Sequence, residues 1–233
     1  MPEGTNWRAP SRAAPRRRGR PRAQRSEETE AEILRAARVA FSKTGYDRTS
    51  VAEIARAAGV TSRAVYHYVD SKPELFARAA AAAYRHVTSV VRAHVAGRRG
   101  GQDTMLAWIQ AFRVLFADDP SLLPFLSLAA IEAERKPELV AALPDGTDIS
   151  GLNRWLVEQG VIHGGLADDI DPVGAVTLLD VFSAGLAVLA GDNRSHDYPG
   201  MLDVLARLIA GTLFTEPTPA APSRPPRPPS KRQ

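Results

Sequence analysis

Cysteine is absent from this 233-residue chain, which excludes disulfides and thiolate metal ligands. Histidine is scarce, and His67, His86, His94, His163 and His196 show no metal-ligand spacing with carboxylates. Asp168-Asp169-Asp171 has the look of a metal cluster, but a helix start at Pro172, where acids are favoured, explains it more simply. No Gly-rich phosphate loop, nucleophile elbow or paired-acid motif occurs, so no enzyme, cofactor or metal site is expected. Alternating strand patterns are also missing. The basic N-terminus is followed by no apolar segment of the signal-peptide kind. The strongest apolar run, Val173 to Gly191, is short for a membrane span and carries Asp180, so it reads as a buried helix. The expectation is an all-α, cytoplasmic protein that does not enter a membrane.

Hydrophobic residues make up 44% of the chain, enough for a real core, and charged residues 24%. The net charge of +4 conceals a division. Residues 1–25 carry eight Arg and one Glu, for +7; residues 217–233 carry +4; the intervening 26–216 sum to −7. Residues 1–25 therefore read as a disordered basic arm, and residues 216–233, rich in Pro, as a solvated tail with too little apolar surface to fold.

The most informative stretch runs from Thr49 to Phe76. Thr49 or Ser50 can cap a helix on which Val51, Ile54, Ala55 and Ala58 form one apolar face. Gly59 stops that helix where a sharp turn favours positive φ. Thr61 can cap the next helix, with Val65 turned inward towards Val60 and Val69. Ser62, Arg63, Ala64, Tyr66 and His67 are then left outward near its start. Ser71-Lys72-Pro73-Glu74 has the form of a capping box opening a further helix. Two short helices across a glycine turn make a helix-turn-helix, whose second helix reads the DNA major groove.

Together these residues resemble the TetR (tetracycline repressor) family of one-component regulators. The resemblance rests on Thr49-Ser50, Ile54-Ala55, Ala58-Gly59-Val60-Thr61, Val65-Tyr66, Tyr68, Lys72 and Leu75. Upstream it includes Ile33-Leu34, Ala36-Ala37, Ala40-Phe41 and Gly45-Tyr46. It covers roughly residues 28 to 78, about a fifth of the chain. Arg63 and Val69 depart from it, standing where the family often has Gly and Phe. The resemblance implies that Ser50, Tyr66 and Lys72 contact phosphates, and that Ser62, Arg63, Ala64 and His67 face the bases. Arg63 is the foremost candidate for sequence reading, because a guanidinium pairs two-pronged with guanine; a phosphate clamp or a solvated surface Arg is the alternative. His67 fits a phosphate or surface role better than base reading. In the arm, Arg18-Gly19-Arg20-Pro21 resembles an AT-hook core, with Arg18 and Arg20 suited to a narrow A·T minor groove; a nonspecific basic tail is the other reading.

Residues 26–72 are thus expected to form the DNA-binding domain and 73–215 a helical regulatory and dimerisation domain. Helices are expected over 74–96, 103–117, 122–134 (disturbed at Pro124), 137–143 and 149–163. Two more follow, over 173–190 and 199–214, both rich in apolar residues. Pairing these last two with their copies in a second subunit would make a four-helix interface, the homodimer that the resemblance also implies. A small-molecule effector pocket is likewise implied, with Trp108, Phe112, Phe116, Phe125, Leu126 and Trp155 as candidate lining and Arg113, Glu132 and His163 as orienting groups. The expected function is a repressor released from a palindromic operator by its effector. An activator, or an architectural DNA-binding protein without effector, is the alternative.

Overall fold

A computed structural model describes residues 22–142, 149–162, 165–191 and 197–214, and among these every regular element is an α-helix. The order is α1 (Arg22–Thr44), α2 (Val51–Ala57), α3 (Ser62–Val65), α4 (Lys72–Val95), α5 (Gly101–Asp118), α6 (Leu122–Arg135), α7 (Pro137–Ala142), α8 (Ile149–Ile162), α9 (Pro172–Gly191) and α10 (Tyr198–Ile209). The basic arm with Arg18 and Arg20, His163 and the Pro-rich tail lie outside the described residues. Four residues assigned to the arm, 22–25, instead belong to the first turn of α1.

Helices α1 to α3 form a small bundle around Ile33, Phe41, Ile54 and Val65, all fully buried. Helix α4 leaves this bundle through a run of buried alanines, Ala77, Ala79, Ala80, Ala81 and Ala83, whose small side chains let α1 and α5 approach. Val87, Val91 and Val95 then continue its buried stripe at four-residue spacing. The body is built on α4 by α5 to α10, with α6 and α8 packed on α9 and α10 on α5. One hydrophobic core runs unbroken from bundle to body.

At the junction, Phe41 of α1, Phe76 of α4 and Phe125 of α6 meet. The Phe76 ring lies edge-on to both others, at 5.0 and 5.3 Å between centroids. An ion pair from Arg38 of α1 to Asp119, at the end of α5, crosses the same junction.

Several boundaries differ from expectation for local reasons. Pro124 does not disturb α6, because it sits in the first turn, where no intrahelical N–H is needed. Helix α10 ends at Ile209 rather than near 214. Gly211, at φ 69°, lets its own N–H and that of Thr212 bond back to the carbonyls of Leu208 and Arg207. Helix α9, apolar on nearly every side, is not buried on every side: Leu179, Ser183 and Leu186 are covered, whereas Val173, Leu178, Val181 and Val188 are exposed. By length and composition α9 could span a membrane. It nonetheless packs on α6 and α8 and holds Asp180 in polar contacts.

Candidate nucleic-acid interface and effector cavities

The reading module is fixed by its caps. The Ser50 hydroxyl accepts from the Glu53 N–H, and the Glu53 carboxylate accepts from the Ser50 N–H at 2.9 Å, closing a capping box that begins α2. These contacts hold the Glu53 carboxyl below its usual pKa, the Ser50 backbone bond first and its hydroxyl second. At the other end, Gly59 sits at φ 69°, and its N–H and that of Val60 return to Arg56 and Ala55. This doubly bonded turn sets the angle between α2 and α3. Thr61 then caps α3 by accepting from the Ala64 N–H. Helix α3 is a single turn continued by turn geometry to Tyr68, and Val65 and Val69 anchor it in the core.

This anchoring decides which side chains face outward. Arg63, Tyr66 and His67 are exposed, and Ser62 and Ala64 half-buried, so the five expected on the outer side of α3 stand together there. Arg63 has no ion-pair or hydrogen-bond partner among the described residues. His67 rests edge-on against Tyr68, whose hydroxyl meets Ser26 of α1 at 3.2 Å.

Ser50 and Lys72, also expected at the interface, are engaged within the protein. The Ser50 hydroxyl also donates to Glu53 at 3.0 Å. The Lys72 ammonium donates to the Asp47 carbonyl at 3.2 Å and lies 4.4 Å from the centre of the Tyr46 ring. Lysine has three donors, so two remain for a phosphate. At the start of α4 the Ser71 hydroxyl accepts from Glu74 as expected, but the Glu74 carboxylate reaches the Asp70 N–H rather than closing the box on Ser71.

Lys136, just beyond α6, was not foreseen. Its ammonium pairs with Asp47 at 2.9 Å and Glu132 at 3.1 Å, and lies 5.4 Å from the Tyr46 ring. The turn between α1 and α2 is therefore clasped by Lys72 from α4 and by Lys136 from the body. Charge is distributed unusually: residues 26–79 contain eight basic and eight acidic side chains, so the reading module beyond the first turn of α1 is neutral and the +7 lies in residues 1–25.

In the body, the six candidate pocket residues do not surround one cavity. Trp108 and Phe112 touch, ring centroids 4.9 Å apart, and each borders a different space. Trp108 lines a cavity of about 440 Å³ between α5, α8, α9 and α10, with Leu156, Leu179, Phe182, Leu205 and Leu208 among its walls. Phe112 and Leu126 line a second of about 280 Å³ between α4, α5, α6 and α9. Phe116 packs on Tyr198 at 4.4 Å, Phe125 belongs to the junction cluster, and Trp155 lies beneath the Arg92 guanidinium at 5.0 Å. Arg113 is paired with Asp203 of α10, and Glu132 with Lys136. Neither lines either of these two cavities.

Comparison with known proteins places these observations. The family model for bacterial regulatory proteins of the tetR family matches residues 33–79. The HTH-type transcriptional regulator TtgR of Pseudomonas putida is 46% identical over 52 residues, 22% of this chain and 25% of that protein. The match thus spans about a quarter of the length of this curated relative. Over the whole fold, a TetR-family regulator from Mesorhizobium loti superposes with a TM-score of 0.59 and 24% identity, covering 81% of this chain and 96% of that one. FadR from Bacillus subtilis, solved with stearoyl-CoA, gives 0.61 at 14% identity, covering 79% and 99%. By sequence the helix-turn-helix is similar to the tetR family of bacterial regulatory proteins over residues 33–79, and by shape the described helices share the fold of TetR-family regulators.

Proposed function

We propose that this protein is a cytoplasmic, sequence-specific DNA-binding regulator of transcription. In this reading it represses as a homodimer and leaves a palindromic operator when a small-molecule effector enters its body. The observation that carries this reading is the outward set Ser62, Arg63, Ala64, Tyr66 and His67 on a helix fixed by a glycine turn and a threonine cap. Ser50, Tyr66 and Lys72 serve as phosphate contacts, and Arg63 as the main base reader. Arg18 and Arg20 add minor-groove or nonspecific affinity.

Dimerisation is proposed through α9 and α10, which expose Val173, Leu178, Val181, Val188, Val204 and Leu208 in the single chain. A second copy covering that face would remove these side chains from water, each stabilising by about 1–2 kcal/mol. Asp180 and the pairing of α9 with α6 and α8 favour this over a membrane role. FadR of Bacillus subtilis, of similar fold, holds stearoyl-CoA, which supports a ligand-binding role for the body.

Helix α5 supplies the route from ligand to DNA. It borders the larger cavity at Thr104, Met105 and Trp108, and its end is tied through Asp119 to Arg38 of α1. Eleven residues separate Trp108 from Asp119, about 16 Å along a helix, so a tilt at the cavity is delivered to the reading module. An effector releases DNA only by binding the non-reading conformer more tightly.

Sequencing of genomic fragments retained by the full-length protein at physiological salt tests the proposal. A few sharp sites sharing an inverted repeat are expected. Broad A·T enrichment without a repeat would instead favour an architectural protein, a reading supported by the neutral reading module beside a strongly basic arm.

A further inference from the structure

The geometry points to a neutral, largely apolar small molecule as the ligand of the cavity between α5, α8, α9 and α10, with a second copy of the chain closing the open side of the site. This rests on the proposed pairing through α9 and α10, and extends it from assembly to ligand binding.

The chemistry of the wall selects the ligand class. Among the described residues, no ionisable side chain lines the cavity. The one hydroxyl among its described lining residues, that of Thr104, donates to the Gly100 carbonyl at 2.9 Å. A carboxylate or ammonium placed there would lose its hydration without a counter-charge, which disfavours charged ligands. The indole N–H of Trp108 is buried within the protein and closed to the cavity, so Trp108 offers its wall ring carbon rather than a donor.

The partner is implied by where the wall is incomplete. Leu178, Phe182 and Leu208 line the cavity, yet they are 56%, 37% and 50% exposed in the single chain. They belong to the same apolar surface as Val181, which is 66% exposed, and Val204. A copy seated on this surface covers the cavity's open side, so a ligand there gains enclosure only in the dimer. Binding and pairing are then reciprocal: whatever factor dimerisation adds to ligand affinity, the ligand adds to dimerisation.

Nile red, a neutral dye with a ring carbonyl and an emission that brightens in apolar surroundings, is the probe, used with the full-length protein. It is expected to bind the wild-type dimer and to raise the dimer fraction in sedimentation. Val181→Asp lies on α9 outside the cavity wall. It is expected to yield a monomer that binds the dye at least about tenfold more weakly, within the usual span of coupling between sites. At Gly160, which lines the cavity, an added Cβ meets nothing within 4 Å. Gly160→Leu should therefore fill the space and abolish dye binding while helix content and pairing persist. Decan-1-ol should displace the dye and decanoate at pH 8 should not.

A monomeric Val181→Asp chain with undiminished dye affinity overturns the shared site, and displacement by decanoate alone overturns the neutral class. Unchanged binding by Gly160→Leu overturns the location, and does so even where Val181→Asp fails to fold. A wild-type chain that sediments as a monomer refutes the proposed pairing instead, so the two failures are distinct.

Discussion

The Arg38–Asp119 pair is the sharpest place to test how the reading module is held to the body. The Arg38 side chain is 14% exposed and that of Asp119 25%, and the Arg38 Nε is buried without a partner of its own. Asp119 also accepts from the Ser121 N–H at 2.9 Å and from its hydroxyl at 2.5 Å, both on Oδ1. Asp119→Asn keeps the shape and Oδ1 but removes the charge opposite Arg38. Removing one partner of a fully buried pair costs about 3–5 kcal/mol; with a quarter of Asp119 open to water, about 2 kcal/mol is expected here. For a chain of this size that lowers the melting temperature by roughly 4–8 °C. Burial raises the Asp119 pKa, but the Ser121 hydroxyl and the Arg38 charge outweigh it, and the net shift is downward. A depressed carboxylate pKa stabilises the fold above the unfolded-state value near ~3.9, and that stability is lost as pH falls through the folded value. The gap between wild type and Asp119→Asn should therefore hold at pH 7 and shrink below about pH 4. Urea unfolding at both pH values, with an Arg38→Met partner for a double-mutant cycle, measures it. A variant within about 0.5 kcal/mol of wild type at pH 7, or a cycle with no coupling, would refute the reasoning.

Further outcomes follow from other residues. Gly59→Ala places a Cβ at φ 69°, so a stability loss of about 1 kcal/mol is expected, with a larger loss of DNA affinity as α3 turns away; unchanged affinity would show that this turn does not aim the helix. Arg63→Ala should relax one position of the selected site at a cost of about 1–3 kcal/mol in specific affinity, checked by binding to single-base variants. Removing residues 1–21 takes away most of the +7 and should weaken binding to all sequences and flatten its salt dependence, because the module left behind is close to neutral.

The local grammar of the reading module was legible because each signal acts within a few residues. Thr61 as cap, Gly59 as turn and Val65 as anchor follow from spacing alone, and all three stand so in the structure. The Ser50-to-Glu53 capping box was equally readable, as the same S-x-x-E pattern noticed at Ser71; Gly211 likewise marked the end of α10. Long-range partners were not legible. Nothing near Lys136 announces Asp47, 89 residues away, and nothing near Arg38 announces Asp119. The candidate pocket failed to converge for a related reason. Helical periodicity shows that Trp108, Phe112, Phe125 and Trp155 turn inward, but not which neighbouring helix each meets. Phe125 went to the junction with the reading module and Trp155 to Arg92.

The central claim is that two copies of this chain read DNA as one symmetric unit. Its most direct test compares a recovered operator with the same duplex carrying about five base pairs inserted at its centre, half a helical turn. The account predicts that the insertion places the half-sites on opposite faces and abolishes tight binding, while two chains occupy the unaltered site. Equal affinity for both duplexes, with one chain bound to each, would contradict it.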